Sequence, residues 1–269
     1  MTAAPRVGLV TGAARGIGAA TVLALVDAGW AVLAVDAAAE DPALPYSMSA
    51  PANLAAVVDE ANERAAGPGL VRPYVADVRD LAALEAAVAE AEARWGGLDA
   101  AVAAAGVIAG GAPLWNVPIE QERAVLDVDL GGVLALARAA VPALLRRPEP
   151  RSGRFLAVAS AAATQGLPML AAYCAAKAGV TGLIRALAVE LASTGVTANA
   201  VSPGSTDTPM LAESARLYGL PDAAAFAAQQ PIERLLDPAE VAAVLAFLAG
   251  PGSSGMTGAA VPVDGGLSL

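Results

Sequence analysis

Seven short apolar runs, each followed by a stretch long enough for a helix or a turn, constrain this chain more than any other feature. They are Arg6–Val10, Ala31–Val35, Leu70–Val75, Leu98–Ala103, Arg154–Ala159, Thr197–Val201 and Ala260–Val263. All are rich in Val and Ala and nearly free of polar alternation, the pattern of strands buried on both faces. The segments between them, among them Gly16–Ala28, Leu81–Trp95, Glu120–Leu145 and Ala171–Ala192, read as helices. Strand–helix alternation predicts an α/β fold, a doubly wound parallel sheet of about seven strands with right-handed crossovers. No repeat, linker or low-complexity tail divides residues 1–269, so one domain is expected, and Pro148–Pro150 reads as the turn ending a long helix.

Composition then removes whole classes of chemistry. The chain has no histidine, which excludes Ser-His-Asp, Cys-His and His-ligated metal sites. Its one cysteine, Cys174, allows neither an internal disulfide nor a thiolate cluster, so no metal site is expected. Cys174 itself reads as a small buried side chain. Acid–base work is left to Tyr, Lys, Asp or Glu. A net charge of −10 without basic runs repels nucleic acid. The uncharged stretches Ala100–Pro118, Phe155–Ala176 and Val241–Val263 are each broken by Gly, Pro, Ser or Asn, so no membrane span is expected. The chain reaches a glycine turn at Gly12 with no basic n-region and cleavage site, so a cytoplasmic location is expected. Of 16 basic residues only Lys177 is lysine. Arg and Lys are not equivalent where a compact charge is needed; the bland alternative is chance survival of a surface lysine.

Thr11-Gly12-Ala13-Ala14-Arg15-Gly16-Ile17-Gly18 follows the first strand and opens the first helix. Glycines there permit a tight turn and close backbone approach, and free helix N–H groups face a phosphate. Asp36, ending the second strand, is placed to accept from a ribose diol and to repel a 2′-phosphate, favouring NAD over NADP. Asp77 reads equally as a contact to an adenine edge or as an N-cap-like loop acid. From Asp36 to Leu54 the chain runs through three prolines with no periodicity. A βα connection is usually a few residues, so this is either a binding element beside the first strands or a tolerated insertion.

Tyr173 and Lys177 lie four residues apart, on one face of a helix. A phenol with a pKa near ~10 is a poor base at neutral pH, and a neighbouring ammonium lowers that value. Ser160 ends a buried strand upstream, where its hydroxyl is placed to hold a substrate oxygen.

These residues resemble the short-chain dehydrogenase/reductase family over essentially the whole chain, which implies a Rossmann-like fold. Thr11–Gly18 is similar to the family's cofactor turn, and Ser160, Tyr173 and Lys177 match its catalytic Ser, Tyr and Lys. Pro203-Gly204-Ser205-Thr206-Asp207-Thr208 is similar to the motif after the sixth strand, where Thr208 holds the nicotinamide carboxamide, and Val263-Asp264-Gly265-Gly266 is a typical close. The resemblance sets Arg15, Ile17, Val78, Ala104, Gly106, Pro203, Gly204 and Thr206 against the cofactor too. It implies alcohol–carbonyl interconversion: Tyr173 takes the hydroxyl proton as hydride leaves for the B face of the nicotinamide. Ser160 orients the substrate oxygen, and Lys177 keeps Tyr173 acidic and contacts the nicotinamide ribose. A homotetramer is implied, with Glu120–Leu145, Ala171–Ala192 and the C-terminal segment at interfaces.

The insertion at residues 37–54 resembles that of actinobacterial mycofactocin-coupled members. There it covers the NAD(H), which does not exchange freely, and electrons pass to mycofactocin. An ordinary ketoreductase with exchangeable NAD(H) is the alternative; a catalytically silent NAD-binding sensor is a third, opposed by the intact Ser160, Tyr173 and Lys177. Residues 209–230 form a substrate lid or pack on a neighbouring helix, and their apolar side chains favour an apolar alcohol. Two positions depart from the family. Ala103-Ala104-Ala105-Gly106 replaces Asn-Asn-Ala-Gly, losing side-chain support. Asp129 replaces the fourth catalytic residue, an Asn whose backbone carbonyl helps hold a water against the lysine. An ionised Asp129 weakens the effect of Lys177 on Tyr173, so a pH optimum moved upward is expected.

Overall fold

The computed structural model describes residues 4–65, 67 and 70–269. Strands β1 (Val7–Thr11), β2 (Ala31–Asp36), β3 (Val71–Val75), β4 (Ala100–Ala103), β5 (Arg154–Val158), β6 (Thr197–Pro203) and β7 (Ala260–Val263) form one sheet. Every pairing is parallel, in the order β3-β2-β1-β4-β5-β6-β7. This is the Rossmann-like sheet expected from the alternation. The helices are α1 (Gly16–Asp27), α2 (Pro51–Arg64), α3 (Leu81–Trp95), α4 (Ile119–Leu126), α5 (Gly132–Arg146), α6 (Ala171–Glu190), α7 (Pro209–Leu217) and α8 (Pro238–Ala249).

All residues of β1, β2, β4 and β5 are buried, as their unbroken apolar character requires. One face packs under α1, α2 and α8 through Val22, Leu25, Leu54, Val58 and Leu245. The other packs under α3, α5 and α6 through Leu84, Val88, Leu136, Leu144, Val180 and Ile184. Each such side chain contributes about 1.5–3 kcal/mol by leaving water. The edge strands β3 and β7 are partly exposed and carry Pro73 and Pro262. Proline lacks the ladder donor and is tolerated at sheet edges.

Two elements differ from the sequence expectation. The loop after β2 ends at Ala50 rather than Leu54, because Pro51 opens α2 and Leu54 turns into the core. Proline suits the first helical position, where its missing N–H has no partner to lose. Asn53 completes this start by accepting from Ala50 N at 2.8 Å. The expected helix Glu120–Leu145 is interrupted by a π-helical turn, Asp127–Gly131, between α4 and α5. Such turns concentrate at functional sites; this one brings Asp129 to face α6. By length and composition alone, Ile119–Arg146 and Ala171–Glu190 suffice to cross a membrane. Both contribute residues to the sheet-facing core.

Candidate active site

Strand order reverses between β1 and β4, and a crevice opens there at the carboxyl ends of the strands. A cavity of about 560 Å³ occupies it. Its wall includes Gly12, Arg15, Gly16, Ile17 and Gly18 of the glycine turn, Asp36 of β2, and Asp77 and Val78 after β3. It continues with Ala104 and Gly106 after β4, Ser160 after β5, Tyr173 and Lys177 on α6, and Pro203, Gly204, Thr206 and Thr208 at and after the end of β6. Asp129 stands behind Lys177, fully buried and off the wall.

The glycine turn fits a nucleotide pyrophosphate. Helix α1 starts without a side-chain cap, which leaves its first N–H groups for an anion. Gly12 has φ +68°, and a Cβ there would lie 2.6 Å from Ala105 N; at Gly18 a Cβ would run into Gly12 O. Thr11 supplies support that the alanines after β4 lack. Its hydroxyl donates to Val102 O at 3.4 Å and accepts from Ala104 N at 3.2 Å and Ala105 N at 3.4 Å. Thr208 caps α7, its hydroxyl accepting from Leu211 N at 3.3 Å.

Asp36 is more engaged than the sequence suggests. Its Oδ2 accepts from Ala14 N at 3.0 Å, and its Oδ1 from Ala38 N at 2.9 Å and the Ser49 hydroxyl at 2.5 Å. A carboxylate offers about four lone-pair positions, so one remains for a ribose hydroxyl unless Ser49 lets go. Asp77 is tied to Arg79, which donates to both carboxylate oxygens. Burial opposes its ionisation, yet the Arg79 hydrogen bonds hold it below the ordinary carboxylate value.

Residues 37–50 form a strap along the crevice, pinned at several points. Arg79 pairs with Asp41 at 2.8 Å, Arg15 donates to Ser47 O at 2.9 Å, and Leu44 is buried. At the far side the Tyr46 hydroxyl accepts from Ile108 N at 3.1 Å. Burial pushes the Tyr46 phenol up to about 12, so it stays neutral. Tyr46, Ser49, Asp41 and Arg79 were not individually legible in the sequence. The spacing of Asp77 and Arg79 is the one local signal, since tyrosine and serine in a proline-rich loop give no periodicity.

At the other end of the cavity, Ser160 turns the chain out of β5, its Oγ accepting from Ala162 N at 3.1 Å. Tyr173 and Lys177 occupy successive turns of α6, with Nζ 5.5 Å from the tyrosine ring centre. Lys177 donates to Val158 O at 3.2 Å and lies 3.1 Å from Asp129 Oδ2. Asp129 Oδ1 accepts from Val107 N at 2.7 Å. Burial holds Tyr173 above the ordinary phenol value; Lys177 and a hydrogen bond with Ser160 pull it down, and Asp129 pushes it up. Lys177 thus lowers the phenol as the spacing leads one to expect, and burial outweighs it. Burial works the other way on Lys177, lowering it, but Asp129 and Tyr173 overrule it and keep the ammonium charged.

The chain's relatives agree with this geometry. A family model described as "Enoyl-(Acyl carrier protein) reductase" matches residues 12–268. The chain is 40% identical over 267 residues to a cis-4-hydroxycyclohexanecarboxylate dehydrogenase of Sinomonas cyclohexanicum, covering 98% of this chain and 96% of the relative. It is 36% identical over 267 residues to a 3-oxoacyl-(acyl-carrier-protein) reductase of Thermotoga maritima, covering 98% of each. Among solved structures, carveol dehydrogenase from Mycobacterium avium in complex with NAD superposes with a TM-score of 0.90 at 31% identity, covering 98% of each chain. Likeness this extensive, joined to the parallel sheet and its crevice, makes the chain an NAD(P)-dependent oxidoreductase of the short-chain dehydrogenase/reductase family.

Proposed function

We propose that the protein interconverts uncharged, apolar, alicyclic secondary alcohols and their ketones, using NAD(H) exchanged with the soluble pool. The observation carrying this reading is the contrast between the two ends of the cavity. Leu167, Leu170, Met210, Leu211, Tyr218 and Phe226 surround the space beside Ser160 and Tyr173. Among the described residues on the wall the cations are Arg15 and Arg79, which engage the strap, and Lys177, which engages Asp129. A carboxylated or phosphorylated substrate therefore has no spare cation to meet. Carveol, named for one relative, is an uncharged ring alcohol; cis-4-hydroxycyclohexanecarboxylate, named for another, is a ring alcohol that also carries a carboxylate, so it supports the alicyclic secondary alcohol and not the absence of charge. The acids Asp36, Glu40 and Asp41 at the adenosine end favour NAD(H) over a cofactor with a 2′-phosphate.

Bound NAD(H) supplies the hydride acceptor or donor. Tyr173, as phenolate, accepts the alcohol proton during oxidation and returns it during reduction. Ser160 donates to the substrate oxygen and steadies its developing charge. An ammonium has three N–H groups; Lys177 commits one to Val158 O and faces Asp129 as an ion pair, which leaves an N–H for a cofactor ribose hydroxyl. Residues 1–269 act as one domain, with 209–230 as the substrate lid, in the cytoplasm. Exposed Leu134, Val189 and Phe247 on α5, α6 and α8 support a homotetramer built on those helices.

Retained NAD(H) with mycofactocin as electron acceptor is the second reading, and the pinned strap is what favours it. Quantifying nucleotide released by denaturing dialysed protein, alongside oxidation of a panel of alicyclic alcohols, separates the two. An empty site that turns over uncharged alcohols with added NAD⁺ supports the first. Near-stoichiometric nucleotide, with turnover only on an artificial acceptor, supports the second. Turnover confined to carboxylated or thioester substrates defeats the uncharged-alcohol reading. Strap closure has its own test. Tyr46→Phe leaves Ile108 N without its acceptor, a loss of about 1–3 kcal/mol, so NAD release measured by stopped-flow fluorescence quickens roughly 5- to 150-fold. An unchanged rate means the strap does not control release.

A further inference from the structure

Asp129 places a carboxylate where its packing requires only a neutral acceptor. The π-helical turn Asp127–Gly131 holds it with no exposed surface, and Oδ1 is satisfied by Val107 N at 2.7 Å. An amide oxygen at the same place would accept that hydrogen bond equally well. Oδ2 has no aligned hydrogen-bond donor; what faces it is the Lys177 ammonium at 3.1 Å. Lys177 is itself almost fully buried and is held from the other side by Val158 O at 3.2 Å. The ammonium is thus gripped between the end of β5 and the π-helical turn, and the negative partner lies on the side away from the cavity wall.

We propose that Asp129 is a positioning residue for the reaction: its carboxylate fixes the Lys177 ammonium and offsets much of its charge, leaving Tyr173 a weaker cationic neighbour than a lone lysine provides. The inference rests on the reading of Tyr173 as the base. The titratable or polar groups that act on this trio are few. Cys174 on α6 and Ser160 after β5 act on Tyr173. Tyr46 on the strap senses Asp129, and Glu213 on α7 and Arg15 in the glycine turn act on Tyr46. Asp129 is therefore the anion whose removal most directly changes what Tyr173 experiences. Taking that negative charge away favours the phenolate, so the rising limb of oxidation against pH moves to lower pH.

The test is the pH dependence of kcat/KM for alcohol oxidation in the wild type and Asp129→Asn. The expected shift is about one pH unit downward, which is about tenfold more activity at a fixed pH on the rising limb. Asp129→Ser, smaller and equally neutral, moves the limb in the same direction if charge is the cause. Phenolate absorbance of the NAD⁺-loaded proteins, with the Tyr173→Phe spectrum subtracted, follows the same group without any substrate. Profiles and phenolate midpoints that superimpose on the wild type, in variants that still bind NAD⁺, overturn the proposal. If no alcohol is oxidised by the wild type, the functional reading fails, while the absorbance titration still decides the role of Asp129.

Discussion

Tyr173→Phe lowers alcohol oxidation by about 10²- to 10⁴-fold, the span that a positioned acid–base group contributes, while NAD⁺ binding stays intact. The ring is buried and its replacement keeps the same shape, so packing against α6 and the Lys177 face is preserved. What disappears is the one phenol between Ser160 and Lys177. No histidine exists to stand in, and the nearest charged groups, Lys177 and Asp129, are committed to each other. Ser160 keeps its bond from Ala162 N and still meets the substrate oxygen, which preserves binding without supplying a base. Measuring kcat/KM and the NAD⁺ dissociation constant on the same preparation separates chemistry from folding. Residual activity within tenfold of the wild type means that another group carries the proton.

The second large effect is on stability. Lys177→Met keeps the length and apolar stem of the side chain but leaves the Asp129 carboxylate buried without its counterion. Breaking a buried pair from one side costs about 3–5 kcal/mol. Burial already pushes Asp129 above the ordinary carboxylate value, with Lys177 and Val107 N pulling the other way; without Lys177 the upward push is stronger. A carboxyl raised in the folded state binds its proton there more tightly than in the unfolded chain. Its stabilising contribution is complete below the unfolded value near ~3.9 and is lost as pH rises through the folded value. The deficit of the variant is therefore largest at neutral pH and shrinks as the solution is acidified. Urea unfolding at pH 7 and pH 5 reads this directly, and Lys177→Met combined with Asp129→Asn recovers most of the loss. A single variant as stable as the wild type at pH 7 rules out an ionised pair.

The sequence revealed the sheet because β1, β2, β4 and β5 are buried on both faces, which leaves no alternation to misread. It brought Tyr173 and Lys177 to notice because a lone lysine one turn from a tyrosine is a local pattern, and Ser160 because it ends a buried strand; the fold sets all three on one cavity wall. What escaped it was set by contacts between distant segments. The bonds of Asp36 to Ser49 and of Tyr46 to Ile108 join residues that no periodicity connects. The π-helical turn was hidden for another reason: the two aspartates and two glycines of Leu126–Gly132 are weak helix formers, but composition does not say that the helix there passes through a π turn with Asp129 facing α6. The direction of the Tyr173 shift was likewise a question of depth, which spacing does not report.

The strap is held by separate small ties, the Ser49–Asp36, Arg15–Ser47 and Tyr46–Ile108 hydrogen bonds and the Arg79–Asp41 pair, and by a short apolar anchor in which Leu44 enters the core and Ala43, Tyr46 and Met48 pack against it. A segment secured in this way opens by local unfolding, at a free energy well below that of the whole domain. Under the proposed strap closure, the time a nucleotide stays in the crevice follows an equilibrium of the backbone beside it; Arg15, Asp36, Asp41, Ser49 and Arg79 line the cavity wall, whereas the Tyr46 tie lies off it. On that proposal, Tyr46 is the tie whose loss changes dwell time with the least change in the nucleotide's own contacts.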